Sequence, residues 1–265
     1  VGQTAGFHQT GESNVFIGKD AGLGASGSSA QDGITAVGFK SLESLTSGAG
    51  NTAVGFETGK DTTTGENNTL LGYQAGQNIL GGSNNIAIGT ASGETMTGVS
   101  STVLVGKQSG QSINNADALG TVAIGHQALK SNTSGQKNTA IGYLTLSVNN
   151  DIGDSNTAVG YEALKNFNPS SDGHGLNTAV GASAGEDVST GTGNTLIGDK
   201  AGNTGSNDIT TGTLNTVVGQ LSGISTSGGT NQTVIGRGVT GQGDNTVTLG
   251  NASVTNFYLA PGNTS

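Results

Sequence analysis

The side chains that most often carry out chemistry in proteins are few in this sequence and widely separated. The histidines His8, His126 and His174 show no pair at metal-binding spacing, and none stands beside a plausible serine or aspartate of a catalytic triad. The chain has no cysteine, which excludes disulfides and thiolate metal sites. We therefore interpret the histidines as surface or loop residues and predict no metal site.

Carboxylates are scattered in the same way, and no two of them share a distinctive catalytic context. Six that could pair across coils, and that we interpret as solvated charges at the edges, are Asp20, Glu57, Glu94, Glu162, Asp187 and Asp199. The segment Gly241-Gln-Gly-Asp244 is weakly similar to calcium-binding β-roll sequences, but these need successive copies so that adjacent turns share ions. We predict no catalytic residue and no cofactor, and we expect that the protein is not an enzyme.

The amino-acid composition argues against some classes of fold and some classes of partner. The 265 residues include 49 glycines and no tryptophan, which argues against a large conventional core. The net charge of −9 is spread along the chain, so nucleic acid is not an expected partner. No run of about 18 apolar residues is present, so we expect no membrane insertion of this segment.

One five-residue motif recurs through nearly the whole chain and predicts a solenoid. Its clearest copies are Asn51-Thr-Ala-Val-Gly55, Asn68-Thr-Leu-Leu-Gly72, Asn138-Thr-Ala-Ile-Gly142, Asn156-Thr-Ala-Val-Gly160, Asn177-Thr-Ala-Val-Gly181 and Asn194-Thr-Leu-Ile-Gly198. We predict an all-β fold, a parallel β-solenoid of about 14 coils over residues 1–250, with an incomplete first coil. Residues 251–265 are expected to be a C-terminal transition segment.

Each motif alternates with a period of two, which predicts a short strand. The residue before the glycine is always aliphatic, and we expect these residues to be the buried core: Ile17, Val37, Val54, Leu71, Ile88, Val105, Ile124, Ile141, Val159, Val180, Ile197, Val218, Ile235 and Leu249. The residue two places earlier is always β-branched, which suits a pleated strand.

The intervening residue, usually alanine but sometimes Leu, Val or Phe, indicates that the opposite face of the strand is buried as well. A strand that is apolar on both faces of a thin solenoid needs a second apolar surface, and a symmetric oligomer around an axis supplies one. The sequence therefore predicts self-association.

Two further columns of residues follow from the repeat. Stacked motif asparagines are expected to form a structural ladder of amides: Asn51, Asn68, Asn85, Asn138, Asn156, Asn177, Asn194 and Asn215. The residues that directly follow motif glycines are expected to line a longitudinal stripe, which would serve for glycan stacking or for packing between subunits: Phe39, Phe56, Tyr73, His126, Tyr143 and Tyr161.

The repeats resemble those of two families. Thr121-Val-Ala-Ile-Gly125, Asn85-Ile-Ala-Ile-Gly89 and Asn245-Thr-Val-Thr-Leu-Gly250 resemble the head repeats of trimeric autotransporter adhesins, which implies a left-handed β-roll and a homotrimer. The longer unit in Asn68–Gly76 and Asn156–Leu164 is similar to repeats of phage tail fibres and tailspike-like proteins. In that family a segment similar to Val247–Thr255 precedes a self-cleaving chaperone, which implies a processing boundary near Ser265.

We therefore expect a trimeric phage tail fibre shaft or head that takes part in host attachment, located in the virion or at a cell surface. Host cell-surface glycans or proteins are the expected partners. The alternatives are a bacterial surface adhesin, a self-assembling extracellular filament and a fibre-borne polysaccharide depolymerase. An ice-binding solenoid is disfavoured because the regular threonines alternate with Val and Ile at a position that the pattern assigns to the interior.

Overall fold

The computed structural model describes residues 1–26, 31–115, 118–148, 153–169 and 174–256, except the side chain of His174. These residues form an all-β fold in which one short strand occurs in nearly every repeat. The strands are Val15–Ile17 (β1), Thr35–Val37 (β2), Thr52–Val54 (β3), Thr69–Leu71 (β4), Ile86–Ile88 (β5), Val103–Val105 (β6), Val122–Ile124 (β7), Thr139–Ile141 (β8), Gly153–Asp154 (β9), Thr157–Val159 (β10), His174–Gly175 (β11), Thr178–Val180 (β12), Thr195–Ile197 (β13), Thr216–Val218 (β14), Thr233–Ile235 (β15) and Val247–Leu249 (β16).

The three-residue strands form one parallel sheet of fourteen strands in chain order, interrupted in numbering only by β9 and β11, which pair with each other. Neighbouring strands align motif on motif, so that Thr52 pairs with Thr69, and Val54 with Leu71. Each coil thus stacks on the previous one, and the predicted parallel β-solenoid is confirmed. At the usual strand spacing the stack is about 60 to 65 Å long.

The glycine that closes each motif is required by this stacking. Gly38 has a φ of 131°, and a Cβ there would lie 2.1 Å from the carbonyl oxygen of Gly55 in the next coil. Such contact is far below van der Waals distance, and the backbone conformation is one that side-chain-bearing residues rarely adopt. Glycine therefore allows the backbones of successive coils to come into contact at the end of each strand.

The interior of the coil is filled by the middle residue of each strand and by a second position six residues later. Where the middle residue is alanine, the second position can hold a fully buried leucine in the left-handed conformation, as in Ala140 and Leu146. Where the middle residue is Leu70, the second position is Gly76, whose Cβ would lie 2.8 Å from Leu70 Cδ2. In each of these two arrangements the two positions together hold one bulky side chain, which fills the space that they share.

The motif asparagines are fully buried and link successive coils. Asn68 donates from Nδ2 to Asn51 Oδ1 at 3.0 Å and to the carbonyl oxygen of Gly82 at 2.9 Å. The same Asn51 Oδ1 accepts the backbone N–H of Asn68 at 2.9 Å. The pattern recurs in the other ladder asparagines, Asn85, Asn156, Asn177, Asn194 and Asn215, while Asn138 starts the second run.

The ladder extends beyond the asparagines that the motif identified. Gln232 donates its backbone N–H to Asn215 Oδ1, and Asn14 occupies the same position in the first complete coil, where it accepts from Ile34. Thr102 continues from Asn85, with both its N–H and its hydroxyl donating to Asn85 Oδ1. Thr121, whose hydroxyl has no described partner, separates the two asparagine runs.

The first residues of the chain form part of a coil beneath β1. Val1 O accepts the backbone N–H of Gly18, and Gln3 O accepts that of Asp20. These bonds repeat the pattern between later coils, so Val1–Gly6 stacks on the coil of β1. Of the predicted C-terminal transition segment, residues 257–265 lie outside the described part of the chain.

Candidate functional site: the outward face of the sheet

The first and third residues of the fourteen motif strands lie on the outside of the coil; these residues are called here the outward face. Leu71 is 46% exposed, whereas Leu70 beside it is fully buried. None of the predicted core residues is buried in the single chain, so that prediction is wrong: Ile17, Val37, Val54, Leu71, Ile88, Val105, Ile124, Ile141, Val159, Val180, Ile197, Val218, Ile235 and Leu249. The core is instead formed by middle residues such as Ala53, Leu70 and Val217.

The inversion has a physical reason. Period-two alternation separates the two faces of a strand but does not say which one is inside. The prediction placed the larger aliphatic side chains in the core, but the interior is narrow and also contains side chains from the far wall of the coil, such as Leu42 and Met96. Alanine fits that space, so the bulkier residues of the strand lie outside.

The outward face carries no charged residue in any of the fourteen strands, although the chain as a whole has a net charge of −9. Its third-residue column is entirely aliphatic. Its first-residue column contains nine threonines, of which six occupy successive coils in register: Thr139, Thr157, Thr178, Thr195, Thr216 and Thr233. These threonines lie on the outside of the coil. An ice-binding solenoid was disfavoured because they were expected to be interior, and that expectation is wrong.

The predicted aromatic stripe is present as two stacks. Phe56 stacks on Phe39 with ring centroids 5.1 Å apart and on Tyr73 at 5.3 Å. Tyr143 stacks in the same way on His126 at 5.2 Å and on Tyr161 at 5.3 Å.

Because neighbouring rings cover one another's faces, the stacks present mainly ring edges to the outside. A sugar ring packs flat on an aromatic face, and within each stack such faces are free only at the two ends. The structure thus brings the six predicted residues together as packing ladders. Glycan binding by them stays a prediction.

Polar side chains beside the stacks are paired along the rod. Glu57 accepts hydrogen bonds from Gln74 and Gln77 at 3.0 and 3.2 Å. Glu162 forms an ion pair with Lys165 at 3.1 Å, which raises the pKa of that lysine, and the charge of Glu162 raises the pKa of Tyr161. The Glu57 contacts join neighbouring coils. Glu162 and Lys165 are three residues apart in one coil, and Lys165 also lies 3.9 Å from Glu186 of the next coil.

The remaining carboxylates singled out from the sequence also accept side-chain hydrogen bonds. The donors are Thr4 to Asp20, Gln111 to Glu94, Asn166 to Asp187 and Gln220 to Asp199. His8 packs edge-on against Phe7, far along the rod from the stacked His126. Within the described ranges, no group of three or more metal-ligating side chains and no pocket is found.

The described part of the chain contains no helix of the length and apolarity needed to cross a membrane. No protein-family model matches the sequence, and a search of curated proteins finds no significant match. The outward face and the aromatic stacks beside it are the features of the described surface from which a function is argued.

Proposed function

We propose that this chain is a structural and adhesive segment of an extracellular fibre, that it is not an enzyme, and that three copies assemble side by side into a rod. The observation that carries the proposal is the uncharged outward face, which runs through all fourteen strands of the sheet. A long flat apolar sheet surface exposed to water promotes association with other chains. A solenoid that self-associates on one side presents its remaining sides and loops to other partners.

The size of the outward face supports a second copy as its occupant. A face about 60 to 65 Å long and about 10 Å wide has a projected area of about 600 Å², close to the ~800 Å² per partner of a standard interface. Obligate interfaces between identical subunits are also more apolar than transient ones. The aliphatic column, which has side chains such as Ile197 at 41% exposure, has that character.

Within this class we propose a phage tail fibre shaft or head that contributes to attachment, with a host-surface glycan or protein as the external partner. The repeat resemblance supports this assignment, as does a rod-like stack of coils with no described pocket for a small substrate. A bacterial surface adhesin and an extracellular filament would also use the outward face for self-association. They differ from a tail fibre in what the rod is attached to.

The assembly is tested by sedimentation and light scattering of the purified chain, with electron microscopy of the particles. We expect the mass of three chains and rods about 60 to 65 Å long. A monomer at micromolar concentration contradicts the proposal, and open-ended growth with concentration identifies the filament. Fluorescently labelled rods then test attachment on bacterial cells, and release of sugars from host polysaccharide would identify a depolymerase instead.

The column of outward threonines favours a second candidate, binding to ice. Six threonines in register, each beside an aliphatic residue two positions later, form a flat array of hydroxyl and methyl groups at one repeating distance. Such an array could order water at its surface. Thermal hysteresis from the chain, lost on Thr178→Lys and Thr216→Lys together, would establish it, and trimers without hysteresis would exclude it.

A further inference from the structure

Neighbouring coils of the large sheet are joined at one corner by a backbone hydrogen bond that recurs along the rod and is called here the corner bond. The residue directly before the ladder position donates its N–H to a carbonyl oxygen of the preceding coil, as Gly50 does to Asp32 at 3.0 Å. The corner bond is present at twelve of the thirteen junctions between the fourteen strands, with the donors Gly33, Gly50, Asn67, Asn84, Ser101, Lys137, Ser155, Leu176, Gly193, Leu214, Asn231 and Asn245.

The exception is the junction between β6 and β7. Gly120 stands directly before the ladder position there, and Ser100 holds the matching carbonyl group of the preceding coil. Both residues lie in the described part of the chain, and no hydrogen bond joins them. An N–H group without an acceptor in the neighbouring coil does nothing to hold the two coils together.

The ladder is interrupted at the same junction. Thr102 donates its hydroxyl and its N–H to Asn85, and within the described ranges it accepts nothing from Thr121. Thr121 is fully buried, its hydroxyl has no partner, and it accepts nothing from Asn138. Asn138 Nδ2 therefore makes one bond, to Gly153 O at 2.6 Å, where the amides of the first asparagine run make two.

Other junctions that lack the ladder bond keep the corner bond. Between β2 and β3, Ile34 offers Asn51 no side-chain acceptor, but the corner bond of Gly50 is present. The junctions between β7 and β8 and between β15 and β16 keep the corner bonds of Lys137 and Asn245 in the same way. Among the described residues, the junction between β6 and β7 is thus the one that lacks both bonds.

The length of the coil does not account for the missing ladder bond. Asn177 follows Asn156 by 21 positions, a longer step than that from Thr102 to Thr121, and its N–H still donates to Asn156 Oδ1 at 3.1 Å. The residue type does account for it. Threonine carries its oxygen on Cβ, one bond closer to the backbone than Oδ1 of asparagine, so the oxygen falls short of the next coil.

The two coils remain joined mainly by their strands. Val103 donates its N–H to Thr121 O at 3.0 Å, and Gly125 donates to Val105 O at 2.8 Å. Of the two aromatic stacks, one ends before this junction and the other begins after it. Because each coil of a solenoid contacts only its neighbours, stability is approximately a sum over coils and junctions, and the stack separates first at its weakest junction.

We infer that the junction between β6 and β7 is a joint that divides the rod into two cooperative blocks, β1–β6 and β7–β16, and that it opens more readily than the junctions inside either block. Each block keeps its own run of ladder asparagines and its own aromatic stack. The rod can therefore bend or part at one defined height while both blocks stay folded. The joint is a property of the single chain and does not depend on self-association.

Amide hydrogen exchange of the purified protein, resolved by residue and corrected for intrinsic rates, tests the joint. Val103 and Gly125 should exchange at least about tenfold faster than Thr52 and Gly72, which hold the same positions across the junction between β3 and β4. All four N–H groups are hydrogen-bonded, so the comparison measures opening of the junction and not the missing bonds themselves. Equal protection of the two pairs would overturn the inference.

Thr102→Asn together with Thr121→Asn supplies the missing ladder amides and should bring the exchange of Val103 and Gly125 to within about threefold of the reference pair. The matched control is Thr62→Asn, which makes the same change at a buried position outside the ladder and should leave the exchange of Val103 and Gly125 as fast as before. Fast exchange in the double variant, or equal slowing by the control, would show that the ladder gap does not create a joint.

Unfolding of the blocks gives a second readout that needs no change in the ladder. The chain has no native tryptophan, so Phe56→Trp and Tyr161→Trp, introduced singly, report on one block each. Guanidinium unfolding followed by fluorescence should give different midpoints for these two variants, whereas Phe39→Trp, in the same block as Phe56, should unfold with Phe56→Trp. Coincident transitions of all three probes, each variant being folded by circular dichroism, would mean that the rod is one cooperative unit.

Discussion

The side-chain amide of Asn68 donates to Oδ1 of Asn51 at 3.0 Å, joining two residues that are seventeen positions apart in sequence. Asn68 Oδ1 in turn accepts both the backbone N–H and the side-chain amide of Asn85, at 3.0 and 3.1 Å. Each ladder asparagine is therefore bound on both sides inside a region that excludes water. Buried donors that lose their acceptor are costly, which makes the ladder sensitive to single substitutions.

Asn68→Ala should destabilise the fold by about 2 to 4 kcal/mol, because two N–H groups of Asn85 lose their acceptor in a buried site. Guanidinium unfolding followed by circular dichroism measures the change. Asn78→Ala, in the same coil but on the outside, is the matched control and should shift the midpoint little. Equal effects of the two substitutions would show that the ladder has no special role.

The complementary filling of the coil interior predicts a rescue. Leu70→Ala should cost about 2 to 5 kcal/mol by leaving a cavity. Gly76→Leu should also destabilise, because its side chain would collide with Leu70. Together they recreate the combination found in Ala140 and Leu146, so the double variant should be more stable than the sum of the two changes predicts.

A double-mutant cycle measures this coupling directly. The control combines Leu70→Ala with Gly93→Leu in the following coil, where a Cβ would meet Met96 at 2.6 Å instead. That pair should show no rescue. Additive behaviour of Leu70→Ala and Gly76→Leu would contradict the idea that the two positions share one space.

Ile197→Lys places a charge on the outward face and should weaken self-association at least about tenfold while the chain stays folded, since a buried unpaired charge is strongly unfavourable. Sedimentation velocity over a range of concentrations gives the dissociation constant, and circular dichroism checks the fold. Ser206→Lys, at an exposed position in the loop between β13 and β14, makes the same change of charge and should leave assembly intact.

The aromatic stacks are expected to stabilise the single chain as well as to border the interface. Phe56→Ala removes the middle ring of a three-ring stack and should cost about 1 to 3 kcal/mol, because two ring contacts are lost. Phe56→Tyr keeps both contacts and should be close to neutral. Thermal unfolding at low protein concentration, where association is minimal, separates this effect from that of assembly.

Most of the fold could be predicted from the repeat. The strands, their order and their register follow from aligning motif on motif. The asparagines could be assigned to a ladder because identical amides recur at the position before most of the strands of the large sheet. What failed was the choice of the face that forms the core of the coil: both faces were expected to be buried and Val54 was assigned to the core, whereas in the single chain Ala53 is buried and Val54 is not. That choice depends on the width of the coil, which is set by residues such as Leu42 and Met96 on the far wall and carries no local signal.

The relationship between Leu70 and Gly76 was not predicted because the residues at both positions vary from coil to coil. The informative quantity is the combined size of the two residues, which a search for identical residues does not detect.

The contact between motif glycines of successive coils affects how the length of such a protein can evolve. Gly38 meets Gly55, Gly55 meets Gly72 and Gly72 meets Gly89 by the same backbone approach, so every coil offers its neighbours the same junction. A duplication or deletion of one seventeen-residue unit would therefore leave the cross-section and all other junctions unchanged. Length becomes a trait that can be adjusted in steps of about 4.8 Å, one unequal recombination at a time.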